Sequence, residues 1–139
     1  MLKILRLIIS PTAIIYLLII KIRNYFFDKN IFKSKNVNAK VISIGNLNVG
    51  GSGKTPAVIA VSNMLKSSGK NVGILSRGYG RKSKGYQLVS GGSGPETSVD
   101  EVGDEIYLTA METQVPAAVS EKRVEGAKRF MSDTKVNTI

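Results

Sequence analysis

Eight residues, Asn48 to Thr55 (NVGGSGKT), combine three glycines, a lysine and a hydroxyl side chain in an order suited to holding phosphate. The order is a relaxed form of GxxxxGK[ST], with Asn48 where the first glycine stands. Gly50 and Gly51 carry no Cβ to keep backbone N–H groups away from phosphate oxygens, and Gly53 lets the loop turn into a helix. Lys54 is expected to reach the β- and γ-phosphates of a nucleotide, and Thr55 to place its hydroxyl on Mg2+. Pro56 falls in the first helical turn, where a missing N–H breaks no hydrogen bond. Asn48, Val49, Gly50, Gly51, Ser52, Gly53, Lys54 and Thr55 thus form the expected nucleotide site, with Thr55 as the metal contact. The loop fixes a nucleotide and leaves the reaction open.

Neighbouring residues narrow that reaction. The stretch SRGYGRKSKG begins where a short apolar run ends. Open α/β sheets bind ligands at that edge, so Arg77 and Tyr79 are expected to face the phosphate loop. Arg81, Lys82 and Lys84 add positive charge, either toward the same crevice or as a solvated basic loop. Asp104 and Glu105 open a helix, where acids serve either chemistry or the helix dipole. Arg123 opens another helix just after a strand, in reach of phosphate or simply of solvent. The chain has no His and no Cys. Any general base within it is therefore a carboxylate, a Lys or a Tyr, and thiolate metal sites are excluded.

These residues need a scaffold, and from Lys40 onward the sequence alternates strand and helix. KVISIG reads as a strand ending at Gly45. TPAVIAVSNMLKSSG reads as a helix with Ala57, Ala60, Val61, Met64 and Leu65 on its inner face and Gly69 as its stop. NVGILS, YQLVS and VPAAVS read as strands, the second a candidate for a hairpin. GDEIYLTAMET and KRVEGAKRFMS read as helices, the latter with Val124, Ala127 and Phe130 as its inner stripe. GGSGPETS is a flexible loop. The expected class is α/β and P-loop NTPase-like: a mainly parallel sheet flanked by helices, occupying residues 40–139. TKVNTI starts a further apolar strand in which the sequence stops, so the domain is expected to be truncated there, before the Mg2+-organising Asp that a later strand commonly supplies in such folds.

The N-terminus is different in kind. From Leu7 to Ile20 no residue is charged, while Lys3 and Arg6 precede the run and Lys21 and Arg23 follow it. The run falls short of the roughly 20 apolar residues that cross a bilayer, and Pro11 interrupts it. Residues 1–27 are therefore expected to form a membrane-associated helix lying in the interface, joined by a polar linker at 28–39. The net charge of +10 is uneven: residues 1–40 carry eight Lys or Arg against one acid, residues 41–100 seven against two, and residues 101–139 five against seven. Anionic lipid suits that distribution.

Five stretches in order, RNYFFD after the apolar segment, VISIGNLNVGGSGKTP, ILSRGYGRKSKG, VGDE and VPAAVSEKRVEGA, resemble the N-terminal part of the tetraacyldisaccharide 4′-kinases, the lipid A 4′-kinases of Gram-negative bacteria. That family also carries a residue other than Gly where Asn48 stands. The resemblance implies ATP as donor with Mg2+, the 4′-hydroxyl of a lipid disaccharide as acceptor, and a place on the cytoplasmic face of the bacterial inner membrane. It matches Lys54 and Thr55 to the phosphate-loop pair, Asp104 to the Asp that activates the sugar hydroxyl, and Arg77, Tyr79 and Arg123 to the active-site face. It also implies later paired acids and a second domain bearing a His, so this chain by itself is expected to be a poor catalyst.

Two other classes share some of these features. A membrane-associated P-loop ATPase or GTPase switch needs the loop and the basic N-terminus but not SRGYG or VGDE. A nucleic-acid binder fits the net charge, yet the basic excess lies beside an apolar segment and lacks interleaved stacking aromatics, so no nucleic-acid partner is expected.

Overall fold

In the computed structural model the structure describes residues 2–45 and 53–139, with residues 2–11 as backbone only. The chain divides into two compact units, residues 1–36 and 37–139.

The first unit is built on one helix, α1 (Leu2–Asp28), which runs unbroken through position 11. Beyond it the chain folds back through Asn30 at φ 55°, and the N–H groups of Ile31 and Phe32 both donate to the Phe26 carbonyl. Phe32 then meets Phe26 and Phe27 edge-on at 5.3 and 5.4 Å between ring centroids. The Arg23 guanidinium stacks on Phe27, and the Lys29 ammonium lies over Tyr25. Ile14 to Ile19 stay 57–65% exposed, which is a large apolar surface for a helix in water. No described helix is long and apolar enough to cross a membrane.

The second unit contains α2 (Lys54–Ser67), β1 (Ile74–Ser76), β2 (Gln87–Ser90), α3 (Val99–Val102), α4 (Asp104–Thr113), β3 (Ala117–Val119) and α5 (Arg123–Thr134). The strands lie in the order β1-β3-β2, β1 parallel and β2 antiparallel to β3. β2 is separated from β3 by two helices, so it is an antiparallel edge and not half of a hairpin. The KVISIG segment pairs over a shorter stretch than its composition suggests. Lys40 and Ile42 donate to the carbonyls of Asn137 and Ile139, and Thr138 bridges in parallel to both Lys40 and Val72. The final apolar residues therefore sit between the segment leading to the phosphate loop and the segment leading into β1.

Alternation along the strands fills two cores. Ile74, Val89, Ala117 and Val119 point to the face covered by Val102, Ile106, Tyr107 and Ala110 of α3 and α4. Leu75, Leu88 and Ala118 point to the other face, covered by Phe130 and Met131 of α5, with Val136 and Ile139. Burial of Ala127 and Phe130 follows the expected α5 stripe, while Val124 is only half-buried.

The expected inner face of α2 is rotated. Ser62 is its buried residue, with Val58, Ile59, Val61 and Leu65 half-buried, whereas Ala57, Ala60 and Met64 are exposed. Docking against α4 selects this face, and with apolar residues all round α2 the pattern alone did not distinguish the two. The helix ends as expected. Gly69 takes φ 72°, its N–H bonds Lys66 O, and the Lys70 N–H bonds Leu65 O, the two reversed bonds of a Schellman stop.

Candidate active site

The parallel pairing of β1 and β3 decides where the helices begin. α2 leads into β1 and α4 into β3, so both run against those strands and alongside each other. The Lys66 ammonium near the end of α2 donates to the carbonyls of Thr113 and Gln114 at the end of α4, at 3.0 and 3.1 Å. With their C-termini tied, their N-termini share the opposite edge. That edge is also where β1 and β3 finish and where α5 starts. Lys54, Thr55, Arg77, Tyr79, Asp104 and Arg123 are all carried to it.

Gly53 caps α2 with φ 72°, a left-handed conformation that disfavours other residues, and its carbonyl accepts the first helical bond, from the Ala57 N–H. It supplies no side-chain cap, and the first turn of α2 holds no acid. A helix start of this kind presents backbone N–H groups and a positive dipole end to an anion. Lys54 and Thr55 open the helix, Lys54 exposed and Thr55 half-buried. Asn48, Val49, Gly50, Gly51 and Ser52 lie outside the described residues.

Arg77 follows β1 and is exposed; Tyr79, two residues on, is 89% exposed. The Arg123 guanidinium donates to the Leu75 carbonyl at 2.7 Å, which anchors the start of α5 to β1. Burial, and then the positive charge of Arg77, push Arg123 below its ordinary value. Both guanidinium groups belong to the strand edge, Arg77 directly after β1 and Arg123 at the start of α5, where an anion would offset their like charge.

Asp104 begins α4 after Gly103, and its Oδ1 accepts the Glu105 N–H at 2.9 Å. Its side chain is exposed at a helix N-terminus. Among the described residues no group of three or more His, Cys, Asp or Glu is placed to hold a metal ion.

In the basic loop Lys82 and Lys84 are exposed, as the solvated reading expects, while Arg81 follows neither expectation. Lys82 is an exposed partner of Asp100 at 2.5 Å. The Arg81 side chain is 3% exposed and paired with Glu121, facing neither the crevice nor solvent. Sequence reasoning passed over Glu121 altogether. The available signal was its place directly after a strand on the ligand-bearing edge, opposite a loop rich in cations.

The chain matches the profile of the tetraacyldisaccharide-1-P 4′-kinase family over residues 5–139. A tetraacyldisaccharide 4′-kinase of Aquifex aeolicus is 46% identical over 123 residues, covering 88% of this chain and 38% of the relative. One from Chlorobaculum tepidum is 40% identical over 126 residues, covering 90% of this chain and 36% of the relative. The fold is similar to a crystal structure of LpxK from Aquifex aeolicus in complex with ATP, with a TM-score of 0.82 and 41% identity over 96% of this chain and 42% of that one. The chain thus spans well under half the length of the proteins it matches. With a family profile that covers nearly every residue, this chain belongs to the tetraacyldisaccharide-1-P 4′-kinase family.

Proposed function

We propose that this chain supplies the ATP-holding part of a lipid kinase that phosphorylates the 4′-hydroxyl of a tetraacyldisaccharide 1-phosphate. The observation that carries the reading is the convergence of the α2, α4 and α5 starts on one strand edge, with Lys54, the Arg77 and Arg123 pair, and Asp104 at it. Family membership names the acceptor; that edge supplies the chemistry.

The start of α2, with Gly53 and Lys54, holds the nucleotide phosphates. The donor set fits a magnesium ion, because the Thr55 hydroxyl is a hard oxygen ligand beside the phosphate site and Mg2+ otherwise keeps phosphate and water oxygens. When bound there, the ion offsets negative charge on the transferring phosphate. Asp104 accepts the proton of the 4′-hydroxyl as its oxygen bonds to the γ-phosphorus and the bond to the β-phosphate oxygen breaks, releasing ADP. Arg77 and Arg123 offset charge on the phosphates or on the acceptor's own phosphate, and Tyr79 lines the acceptor side.

We further propose that α1 brings the protein to the cytoplasmic face of the inner membrane, where such an acceptor resides. Its exposed Ile14–Ile19 surface and flanking cations support an interfacial position. Transfer of labelled γ-phosphate to tetraacyldisaccharide 1-phosphate in detergent micelles, compared between the wild-type protein and Lys54→Ala, tests the kinase reading. Hydrolysis of ATP with no transfer to the lipid favours a nucleotide switch instead.

A further inference from the structure

The loop after β1 and the turn after β3 are joined by a side chain whose burial is unusual for its charge. The Arg81 side chain is 3% exposed, and its guanidinium donates to the Ser83 hydroxyl at 3.1 Å, to the Gly85 carbonyl at 2.6 Å and to a Glu121 carboxylate oxygen. The other Glu121 oxygen accepts the Gly85 N–H at 3.0 Å. A buried charge is tolerated when its hydrogen bonds are made, and breaking such a set is costly. Glu121 in turn precedes Lys122 and Arg123, which starts α5.

The same loop is fitted against the start of α4. At Gly78 a Cβ would run into the Arg81 side chain and come within 3.0 Å of the Val102 carbonyl. At Gly103 a Cβ would come within 2.8 Å of the Tyr79 carbonyl. The backbone of Gly78 and Tyr79 therefore lies directly on Val102 and Gly103, one residue before Asp104. Two further bonds fix that seating: Lys82 N–H to Asp100 O at 2.9 Å and Ser83 Oγ to Glu101 O at 2.5 Å.

We propose that Arg81 and Glu121 form a positioning latch that sets Arg77 and Tyr79, Asp104 and Arg123 relative to one another, so that three separate segments of the strand edge move as one unit. Neither residue touches substrate in this scheme. The proposal rests on the kinase reading for its purpose and on the contacts above for its existence.

Hydrogen exchange separates the two. In Glu121→Gln the shape of the side chain and an acceptor for the Gly85 N–H remain while the charge is lost. Amides of residues 78–85 should exchange at least tenfold faster, and so should those of Gly103 to Glu105, which Glu121 does not contact. Arg81→Lys should restore part of the protection that Arg81→Gln loses. In a transfer assay on the same proteins, turnover should fall about 10- to 100-fold and the KM for the lipid acceptor rise, with the KM for ATP unchanged, as expected for misplaced groups in an otherwise folded site. If Arg81→Gln does not fold, Glu121→Gln decides. Faster exchange confined to residues 78–85 overturns the latch and leaves a local loop staple. Absence of transfer in every protein, wild type included, is the result expected of a chain that spans well under half the length of its relatives, and leaves the exchange result to judge the latch.

Discussion

The Lys66 ammonium donates to the Thr113 carbonyl at 3.0 Å, joining the last turn of α2 to the end of α4 across 47 residues of sequence. Two helices tied at their C-termini and running side by side must start at the same edge. Lys54 at the start of α2 and Asp104 at the start of α4 owe their common edge to this pairing.

Lys66→Met should therefore weaken the fold without touching the site. Loss of two hydrogen bonds from a charged, solvent-accessible donor is worth about 1–2 kcal/mol. Urea denaturation should show a lower midpoint with an unchanged slope. An unaltered midpoint means that water replaces the ammonium at no cost.

Lys54→Ala should abolish or greatly weaken nucleotide binding. A lysine at the start of a helix whose first turn lacks acids contributes charge where phosphate gathers, and a loss of at least tenfold, about 1.4 kcal/mol, is expected. Calorimetric titration with a non-hydrolysable ATP analogue and Mg2+ measures it. Equal heats from both proteins would move the nucleotide away from α2.

Deleting residues 1–27 should release the protein from lipid. Each Lys or Arg near an anionic surface contributes about 1 kcal/mol, so the dependence on anionic lipid should be steep and should fall with added salt. Flotation on vesicles with and without anionic lipid compares the two proteins. If both float alike, the anchor lies outside α1.

Acid should loosen the Arg81 latch. The Glu121 carboxyl is held below its ordinary value of 4.5 by its own backbone N–H first, then by Arg81 and the Gly85 N–H. A group whose value is lowered in the folded state stabilises it above the unfolded value, and that contribution disappears as pH falls through the folded one. Thermal melts taken from pH 7 to pH 3 should lose stability below about pH 4.5 less steeply in Glu121→Gln than in wild type. Superimposable pH profiles would show that Glu121 is not linked to folding.

Much of this architecture was legible in sequence because local signals and packing agree. The helix start after Gly53, the Gly69 stop and the Phe130 stripe each have a local physical cause that tertiary structure did not override. The α2 face was not legible, since Ala57, Ala60 and Met64 are as apolar as the residues that pack and only the position of α4 chooses between them. KVISIG shows the reverse limit: its composition favours a strand over all six residues, but regular pairing needs neighbours, and among the described residues backbone partners reach only Lys40 and Ile42. Arg81 was hidden because its acceptors, Gly85 and Glu121, are polar groups whose convergence depends on how two loops meet. Asp104, at a helix start, looks alike as a dipole partner and as a base, and the side-by-side placement of α4 and α2 brings it to the edge where α2 begins.

Asp104 distinguishes a structural acid from a catalytic one by experiment. Its Oδ1 accepts the Glu105 N–H at 2.9 Å, so part of its role is to close the first turn of α4. Asp104→Asn retains an oxygen in that place and keeps the turn, but a carboxamide cannot take a proton from a sugar hydroxyl. Asp104→Ala removes both functions. If Asp104 is the base, both substitutions, assayed in a protein of full family length, should lower transfer to tetraacyldisaccharide 1-phosphate by a similar factor, about 10²- to 10⁴-fold, while the affinity for ATP stays within a few-fold of wild type. If it serves only the helix, Asp104→Asn should transfer at the wild-type rate, and Asp104→Ala should show a lower melting temperature with only a proportionate loss of activity. Single-turnover measurement of labelled phosphate transfer, with melting curves on the same preparations, separates these outcomes, and a full-rate Asp104→Asn protein removes Asp104 from the proton transfer.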